Sequence, residues 1–224
     1  MPCIEIQRLR AYTPPDDVYG TEKRAAVLVG LVVDPETRRL EVWLTLRSSE
    51  LRKHGGEVAL PGGRQEGSDA DLVATALRES EEEIGLDRDA VESVTCLKPF
   101  LSRFLLLVTP VVGIVPSDFV PAANPDEVAA CFKIPLEEFL SNENHSSTDE
   151  MIPRAGLWRR HEFHWRNGDG ETYKIFGLTA DILIHCATLA YQRHPDFRIT
   201  AQGQPSLDEL IQRLDFLGYF RPKL

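Results

Sequence analysis

The stretch that most constrains this chain runs from Gly55 to Leu86, where a glycine-rich turn leads into a strongly acidic helix. Within it, Glu79, Glu82 and Glu83 are spaced i, i+3 and i+4, so on a helix their carboxylates share one face. Carboxylates this close repel one another, and a divalent cation removes that repulsion. Oxygen ligands without Cys or His are typical of Mg²⁺ or Mn²⁺ sites rather than zinc sites. This helix face is therefore predicted to bind a metal ion and to form the active site.

The same helix carries signals for its ends and its packing. Ser68 or Asp69 can serve as the N-cap, and Gly85 is placed to end the helix in a left-handed conformation. Before the helix, residues 61–63 read Pro-Gly-Gly, a turn in which missing Cβ atoms let the backbone approach a ligand. The face opposite the carboxylates is apolar and is expected to pack against a sheet through Leu72, Val73, Ala76, Leu77 and Ile84.

This segment resembles the Nudix box, G-x5-E-x7-R-E-U-x-E-E-x-G-U, in which U is aliphatic. There are two departures. Ser80 stands at an aliphatic position, and one additional residue precedes Arg78, so Ala70 falls where a Glu is usual. Asp69 and Asp71 flank that position, and the sequence leaves open which of them replaces the Glu. The residues that match the box are Gly63, Arg78, Glu79, Glu82, Glu83, Gly85 and Leu86.

A second motif lies upstream and resembles the signature of the coenzyme A diphosphatase branch of the Nudix family, L-L-T-x-R-S-x3-R-x3-G-x3-F-P-G-G. That branch also shares the longer spacing within the box. Here residues 44–48 read Leu-Thr-Leu-Arg-Ser, followed by Arg52, Gly56 and Leu-Pro-Gly-Gly at 60–63. The resemblance spans about residues 24–197 and implies an α/β fold, the Nudix α/β/α sandwich with a mixed central sheet.

The resemblance implies a role for each residue of the acidic face. Glu79 and Glu83 would be the primary metal ligands, and Glu82 a ligand or a group that positions water. The carbonyl of Gly63 would be an additional ligand, and Arg78 would orient the carboxylates by hydrogen bonds. The alternative is a solvated helix face, which is typical of charge runs. Two motifs in register argue against that alternative.

Four residues outside this helix complete the predicted site. Glu127 precedes a predicted strand, where Nudix proteins often place a further catalytic or metal-associated Glu, and its alternative is a loop carboxylate. Arg47, Arg52 and Arg64 are expected to bind the substrate, because coenzyme A carries a 3′-phosphate beside its diphosphate. The alternative for each arginine is a surface cation.

With these parts, the predicted reaction is metal-dependent hydrolysis of the diphosphate bond of coenzyme A or acyl-coenzyme A to 3′,5′-ADP and (acyl-)4′-phosphopantetheine. Two rival functions stay open: the same chemistry on NADH or ADP-ribose, and a non-catalytic Nudix module that binds a nucleotide or coenzyme A. A peroxisomal NADH diphosphatase would carry an S-Q-P-W-P-F-P-type motif, and nothing similar follows Leu86. The intact glutamates argue against the non-catalytic module.

Composition limits the partners. A net charge of -10 argues against a nucleic-acid coat or a binder of anionic membranes. The four cysteines are widely spaced and form no C-x-x-C pair, which predicts reduced thiols rather than disulfides or a zinc site. The predicted partner is a small-molecule substrate, and a homodimer stays open.

The chain is expected to divide into an irregular N-terminal arm at 1–22, a Nudix hydrolase domain at 23–197, and a C-terminal helix and tail at 198–224. Within the domain, residues 142–149 are predicted to be a polar loop, disordered or inserted. The final tripeptide, residues 222–224, resembles the peroxisomal signal S-K-L with Pro in first place. It predicts recognition by an import receptor and a peroxisomal location, with cytoplasm or mitochondrion as alternatives.

Three histidines are candidate ligands by residue type. His161 and His164 would point to opposite faces of a strand, which argues against a joint metal site. His185 lies in an apolar helix and is expected to be a core residue with satisfied hydrogen bonds.

Overall fold

The structure is a computed structural model that describes residues 3–14, 23–51, 54–102, 104–152, 156–168 and 170–216, without the side chains of residues 213, 215 and 216. Arg52 and the tripeptide at 222–224, both singled out in the sequence, lie outside the described residues.

The described residues form four α-helices and eleven strands. The helices are α1 (Ile4–Ala11), α2 (Leu72–Ile84), α3 (Leu178–Tyr191) and α4 (Leu207–Phe216), with short 3₁₀ helices at Arg88–Ala90 and Leu136–Leu140. The first six strands are β1 (Arg24–Val33), β2 (Leu40–Arg47), β3 (Val58–Ala59), β4 (Gly62–Arg64), β5 (Glu92–Cys96) and β6 (Phe100–Leu101). The others are β7 (Leu107–Ile114), β8 (Val128–Pro135), β9 (His145–Ile152), β10 (Gly156–Arg166) and β11 (Thr172–Phe176).

The larger sheet has eight strands, and its central path runs β3-β2-β1-β7-β5. Off this path, β4 pairs with β1, β6 with β7 and β8 with β2. Strands β1 and β7 are parallel, with Leu28 opposite Val111, whereas β1 and β2 are antiparallel. The predicted mixed sheet is therefore confirmed. A separate three-stranded sheet has the order β11-β10-β9.

Strand β1 shows why helices cover both faces of the larger sheet. Its side chains alternate in direction, so a strand in the middle of a sheet contributes to two cores. Ala26 and Leu28 pack in one core with Ala76 and Ile84 of α2. Val29 belongs to the other core, which includes residues of α1 and α3. The layers are helix, sheet and helix, as the α/β fold class predicted.

Two segments differ from the sequence-based expectation. The arm at 1–22 was predicted to be irregular, but it contains α1, whose Ile6 and Leu9 are buried in the main core. The segment at 142–149 was predicted to be a loop, but most of it belongs to β9, which pairs with β10 over eight residues. The first six residues of β9 are polar and most of the strand is exposed, so the sequence has no alternation of apolar and polar positions that would predict a strand. Pairing with a distant strand decides its conformation.

No helix in the described part of the chain is long and apolar enough to span a membrane.

Candidate active site

Helix α2 is fixed at both ends by local signals. Gly85 ends it with φ of 67° and donates its N–H to Glu81 O at 2.9 Å, which confirms the predicted left-handed C-cap. The N-cap is Asp71, whose Oδ1 accepts the Ala74 N–H at 2.8 Å, so the prediction of Ser68 or Asp69 was wrong.

Asp69 makes a different contact, with the arginine of the box. Its Oδ1 accepts Arg78 Nε at 2.9 Å and its Oδ2 accepts Arg78 Nη2 at 3.1 Å. The Thr75 hydroxyl also donates to Asp69 at 2.9 Å. The guanidinium holds the pKa of Asp69 well below its usual range. Asp69 thus pairs with Arg78, whereas Asp71 caps the helix.

Arg78 connects four parts of the site. Besides Asp69, it lies 3.1 Å from Glu79 Oε1 and 3.2 Å from Glu82 Oε2. Its Nη2 also donates to the carbonyl of Arg64 at 3.2 Å, so the backbone at the end of β4 is tied to α2. The Arg64 side chain itself is exposed. These bonds orient the carboxylates of α2 relative to the glycine turn.

Glu83 is the most buried carboxylate of this helix. Only 2% of its side chain is exposed, and Arg47 Nη1 lies 3.3 Å from its Oε1. Its Oε2 is buried and has no hydrogen-bond partner among the described residues. Burial raises the pKa of Glu83 to about 7, with further upward contributions from Glu79 and Glu127, while the charge of Arg47 lowers it.

The two glycines of β4 allow two close approaches, that of Gly63 to α2 and that of Gly62 to β1. A Cβ at Gly63 would lie 2.4 Å from the Cδ of Glu79, and one at Gly62 would lie 2.5 Å from the Cα of Val27. Gly62 also has φ of 152°, which side chains with a Cβ rarely adopt. The Glu79 carboxylate therefore occupies the space that a side chain at Gly63 would fill.

Glu127 is close to this group through both its backbone and its charge. Its carbonyl accepts the N–H of Ser48, the residue after Arg47, at 2.8 Å. Its carboxylate contributes to the raised pKa of Glu79 and of Glu83, so the three charges are neighbours. Its position beside the helix was suggested by the family resemblance alone.

The carboxylates of α2 are the oxygen donors that a divalent cation prefers. Among the described residues, no three His, Cys, Asp or Glu side chains form a cluster that could hold a metal ion. In this arrangement Glu79 and Glu83 are turned towards Arg78 and Arg47. The unpartnered Oε2 of Glu83 and the mutual repulsion of the carboxylates nevertheless match what a hard cation satisfies. The chemistry of these residues fits a divalent metal ion.

The histidines lie outside this group. His161 is buried and His164 is exposed, which confirms that the two point to opposite faces of β10. His161 Nδ1 lies 2.9 Å from His145 Nε2, and its Nε2 lies 2.8 Å from the carbonyl of Ile199. His185 was expected to have satisfied hydrogen bonds, but its Nε2 is buried without a partner among the described residues.

One contact near the site was missed by the sequence analysis. His54, in the loop after β2, packs against the ring of Phe104 at a centroid distance of 5.4 Å. The two residues are 50 positions apart, and no local pattern connects them.

An acidic helix beneath a glycine turn, on a mixed sheet covered by helices, defines a Nudix-type architecture. A family model described as NUDIX domain matches residues 22–155, more than half of the chain. The chain therefore belongs to the Nudix family.

Similar proteins agree with this assignment. The chain is 50% identical over 177 residues to Nudix hydrolase 15, mitochondrial, of Arabidopsis thaliana, covering 78% of this chain and 61% of that protein. It is 45% identical over 204 residues to Nudix hydrolase 22, chloroplastic, of the same plant, covering 89% of this chain and 66% of that protein. The uncharacterized Nudix hydrolase NudL of Yersinia pestis (strain Pestoides F) is 40% identical over 190 residues, with 81% and 91% covered.

The chain spans slightly less than two thirds of the length of the two plant relatives. These three relatives, 40% to 50% identical to this chain, are all named Nudix hydrolases. Nudix hydrolases generally use divalent metal ions, in agreement with the carboxylate-rich face of α2.

Proposed function

We propose that this chain is a metal-dependent diphosphatase of coenzyme A and its esters. The observation that carries the proposal is the 3.3 Å contact between Arg47 Nη1 and Glu83 Oε1. It joins the upstream signature, which resembles that of coenzyme A diphosphatases, to the Nudix box. Arg47 is 23% exposed, so it is accessible to a substrate anion while it contacts the acidic helix.

The residues of the site would have two roles: some provide charge to the substrate or the metal ion, and others position those residues. Arg47 places a guanidinium beside the carboxylates, where it can pair with a phosphate oxygen. Arg78 holds Glu79 and Glu82 by short contacts. Glu79 and Glu83 would hold Mg²⁺ or Mn²⁺, with Glu82, Glu127 and the Gly63 carbonyl nearby. The bound ion would shield phosphate charge and acidify water.

The reaction is a hydrolysis without redox change. Water adds to one phosphorus of the diphosphate, and the bridging P–O bond breaks. A proton from the water passes to a base, and the leaving phosphate keeps the bridging oxygen. The products are 3′,5′-ADP and (acyl-)4′-phosphopantetheine.

Product analysis by mass spectrometry tests the proposal. The protein is incubated with Mg²⁺ or Mn²⁺ and, separately, with coenzyme A, a long-chain acyl-coenzyme A, NADH and ADP-ribose. Preferential release of 3′,5′-ADP from the coenzyme A substrates supports the proposal. Preference for NADH or ADP-ribose would support the catalytic role of the acidic helix but contradict coenzyme A as the substrate. No turnover of any of the four compounds would favour a non-catalytic binding module.

Location and assembly are separate proposals. The tripeptide at 222–224 motivates a peroxisomal location, with the cytoplasm or the mitochondrion as alternatives. The name of one plant relative assigns that protein to mitochondria, which supports the mitochondrial alternative. Imaging of a tagged chain beside organelle markers distinguishes these locations. A homodimer is tested by light scattering of the purified protein.

A further inference from the structure

A short segment before β8 connects the end of α2 to Glu127. The Ala122 N–H donates to the carbonyl of Ile84 at 2.9 Å, and the Asn124 N–H donates to the carbonyl of Glu83, also at 2.9 Å. Carbonyls in the last turn of an α-helix have no partner within the helix itself. The segment therefore supplies the hydrogen bonds that the end of α2 needs, at the residue that carries the buried carboxylate.

The sequence of this segment explains its shape. Residues 124–127 read Asn-Pro-Asp-Glu, and the turn is closed by a bond from the Glu127 N–H to the Asn124 carbonyl at 3.0 Å. Asn is favoured at the first position of such a turn, because its side chain can bond to the backbone two residues on, and Pro is favoured at the second, because it fixes φ. Here the Asn124 Oδ1 accepts the Asp126 N–H at 3.2 Å. Asn124 thus holds the turn through its side chain as well as its backbone.

Glu127 is also held from its other side, by the strand of the upstream signature. Its carbonyl accepts the N–H of Ser48 at 2.8 Å, and the preceding residue, Arg47, contacts Glu83 at 3.3 Å. The backbone of Glu127 is therefore bonded to Asn124 and to Ser48, and both of these connections lead to Glu83. The carboxylate of Glu127 contributes to the raised pKa of Glu83, so the two charges are neighbours.

We propose that Asn124 is a positioning residue, which fixes the backbone of Glu127 so that its carboxylate keeps its place relative to that of Glu83. This inference rests on the proposed function, in which both glutamates serve the reaction. A turn that is bonded at its first and last residues loses most of its backbone freedom, which leaves chiefly the side-chain torsions of Glu127 to vary. Groups at a reacting centre need this restriction, because a displacement of about 1 Å can lower the rate about 100-fold.

The first part of the test compares two substitutions of Asn124 by steady-state kinetics. Asn124→Ala removes the oxygen that accepts the Asp126 N–H, and it should lower kcat about tenfold while KM changes less than twofold. Asn124→Ser keeps an oxygen that is favoured at the first position of a turn and adds no charge, so it should retain most of the wild-type kcat. An unchanged kcat in Asn124→Ala would overturn the inference.

Asn167→Ala is the matched control for a loss of stability. Asn167 lies in the turn between β10 and β11, and its Oδ1 accepts the Glu171 N–H at 2.9 Å. Asn124→Ala and Asn167→Ala each remove a bond from a side-chain oxygen to a turn N–H, so both should lower the melting temperature, measured without added metal, by about 2 °C. Asn167→Ala should keep the wild-type kcat. An equal loss of kcat in both variants would attribute the effect to stability and contradict a positioning role.

A double variant tests whether Asn124 acts through Glu127. When Asn124→Ala is added to Glu127→Gln, kcat should fall less than twofold further, because the carboxylate that Asn124 positions is already absent. A further tenfold fall would mean that Asn124 acts on another group, and the inference would be wrong.

The outcomes separate this inference from the proposed function. The kinetics use coenzyme A or, if the wild type prefers one of them, NADH or ADP-ribose. If the wild type cleaves none of these compounds, the proposed function fails and the inference fails with it. If the wild type is active and Glu127→Gln keeps the wild-type kcat, Asn124 has no catalytic carboxylate to position. The inference is then wrong, whereas the proposed diphosphatase activity stands.

Discussion

Two surfaces of this molecule are dense in charge, and they differ in how the charge is compensated. On the three-stranded sheet, Glu162 lies 2.7 Å from Lys174, 2.8 Å from His164 and 3.4 Å from Arg160. The hydrogen bond from Lys174 and the other positive charges lower the pKa of Glu162. The Glu162 carboxylate therefore has three basic partners, and all three side chains are partly exposed to water.

On α2 the buried carboxylate is surrounded mainly by negative charge instead of positive charge. Glu83 is buried, and among the described residues its ion-pair partner is Arg47, while the charges of Glu79 and Glu127 oppose its ionisation. Its pKa is raised, in the direction opposite to that of Glu162. Burying a carboxylate whose charge is not fully compensated lowers the stability of the fold. Such carboxylates are characteristic of functional sites that bind a cation or a proton. Charge density alone does not distinguish the two surfaces, whereas burial and pairing do.

The largest effect is expected from Glu83→Gln compared with Glu162→Gln. The first change should lower kcat about 1,000-fold, because it removes a charged oxygen at the reacting centre. It should also leave the melting temperature unchanged or higher. A carboxyl with a raised folded-state pKa contributes stability that is fully present below the unfolded pKa, and this contribution is lost as pH rises through the folded pKa of about 7.

Glu162→Gln should keep kcat and lower the free energy of unfolding by about 1 kcal/mol, because its ion pairs are partly exposed. Both variants are compared by steady-state kinetics and thermal unfolding at pH 8. Equal kcat values in the two variants would remove the distinction between the two surfaces.

A smaller loss, of about 100-fold, is expected from Gly63→Ala. The added Cβ would lie 2.4 Å from the Cδ of Glu79, so the carboxylate must move, and a displacement of about 1 Å can cost this much. Gly67→Ala is the matched control, because a Cβ there meets nothing within 4 Å. Kinetics on coenzyme A should separate the two alanine variants. Similar activity in both would mean that Glu79 does not need its present position.

Two neighbouring aspartates allow a sharper comparison. Asp69→Asn weakens the double contact with Arg78 and should lower kcat/KM about tenfold, since a group that orients a ligand is disturbed. Asp71→Asn should retain activity and stability, because Asn is as good an N-cap as Asp. Activity and thermal unfolding are measured for both. Loss of activity in the Asp71 variant alone would reverse the roles assigned to the two residues.

The smallest effect concerns acid stability of the three-stranded sheet. Burial and the charges of His161 and Arg159 lower the pKa of His145 to about 4. A base with a lowered folded-state pKa contributes stability above its unfolded pKa of about 6.5, and this contribution is lost as pH falls towards 4. We expect a loss on the order of 1 to 2 kcal/mol across that window.

His145→Phe provides the comparison for this acid effect. It keeps an aromatic ring stacked on Phe197, where the native centroids are 3.7 Å apart, and it cannot be protonated. Its melting temperature should depend less on pH between 6.5 and 4 than that of the wild type. An identical pH dependence would exclude His145 as the source of the acid effect.

Much of α2 could be predicted because its signals are local. The i, i+3, i+4 spacing of the glutamates and the apolar opposite face specify one helix, and Gly85 ends it within the same segment. The N-cap was misplaced because Ser68, Asp69 and Asp71 are all good capping residues. The bond between Asp69 and Arg78 decides among them, and it forms only when the turn folds back on the helix.

Strand β9 and helix α1 could not be predicted from the pattern of apolar and polar residues. The polar run of β9 lacks the alternation that predicts a strand, and β10 supplies the pairing that makes it one. Helix α1 has a weak apolar face of Ile6 and Leu9, and it is stabilised by burial in the core shared with α3.

The sequence by itself determined the acidic helix, the glycine turn before it and the mixed α/β class, because each depends on residues within a few turns of chain or on strand-forming runs. Only the tertiary structure decided that Arg47 meets Glu83 across 36 residues and that Phe104 lies beside His54. It also decided that one oxygen of Glu83 is buried with no partner in the part of the chain that the structure describes. These features depend on how distant segments pack, and packing is set by the whole core rather than by any one segment.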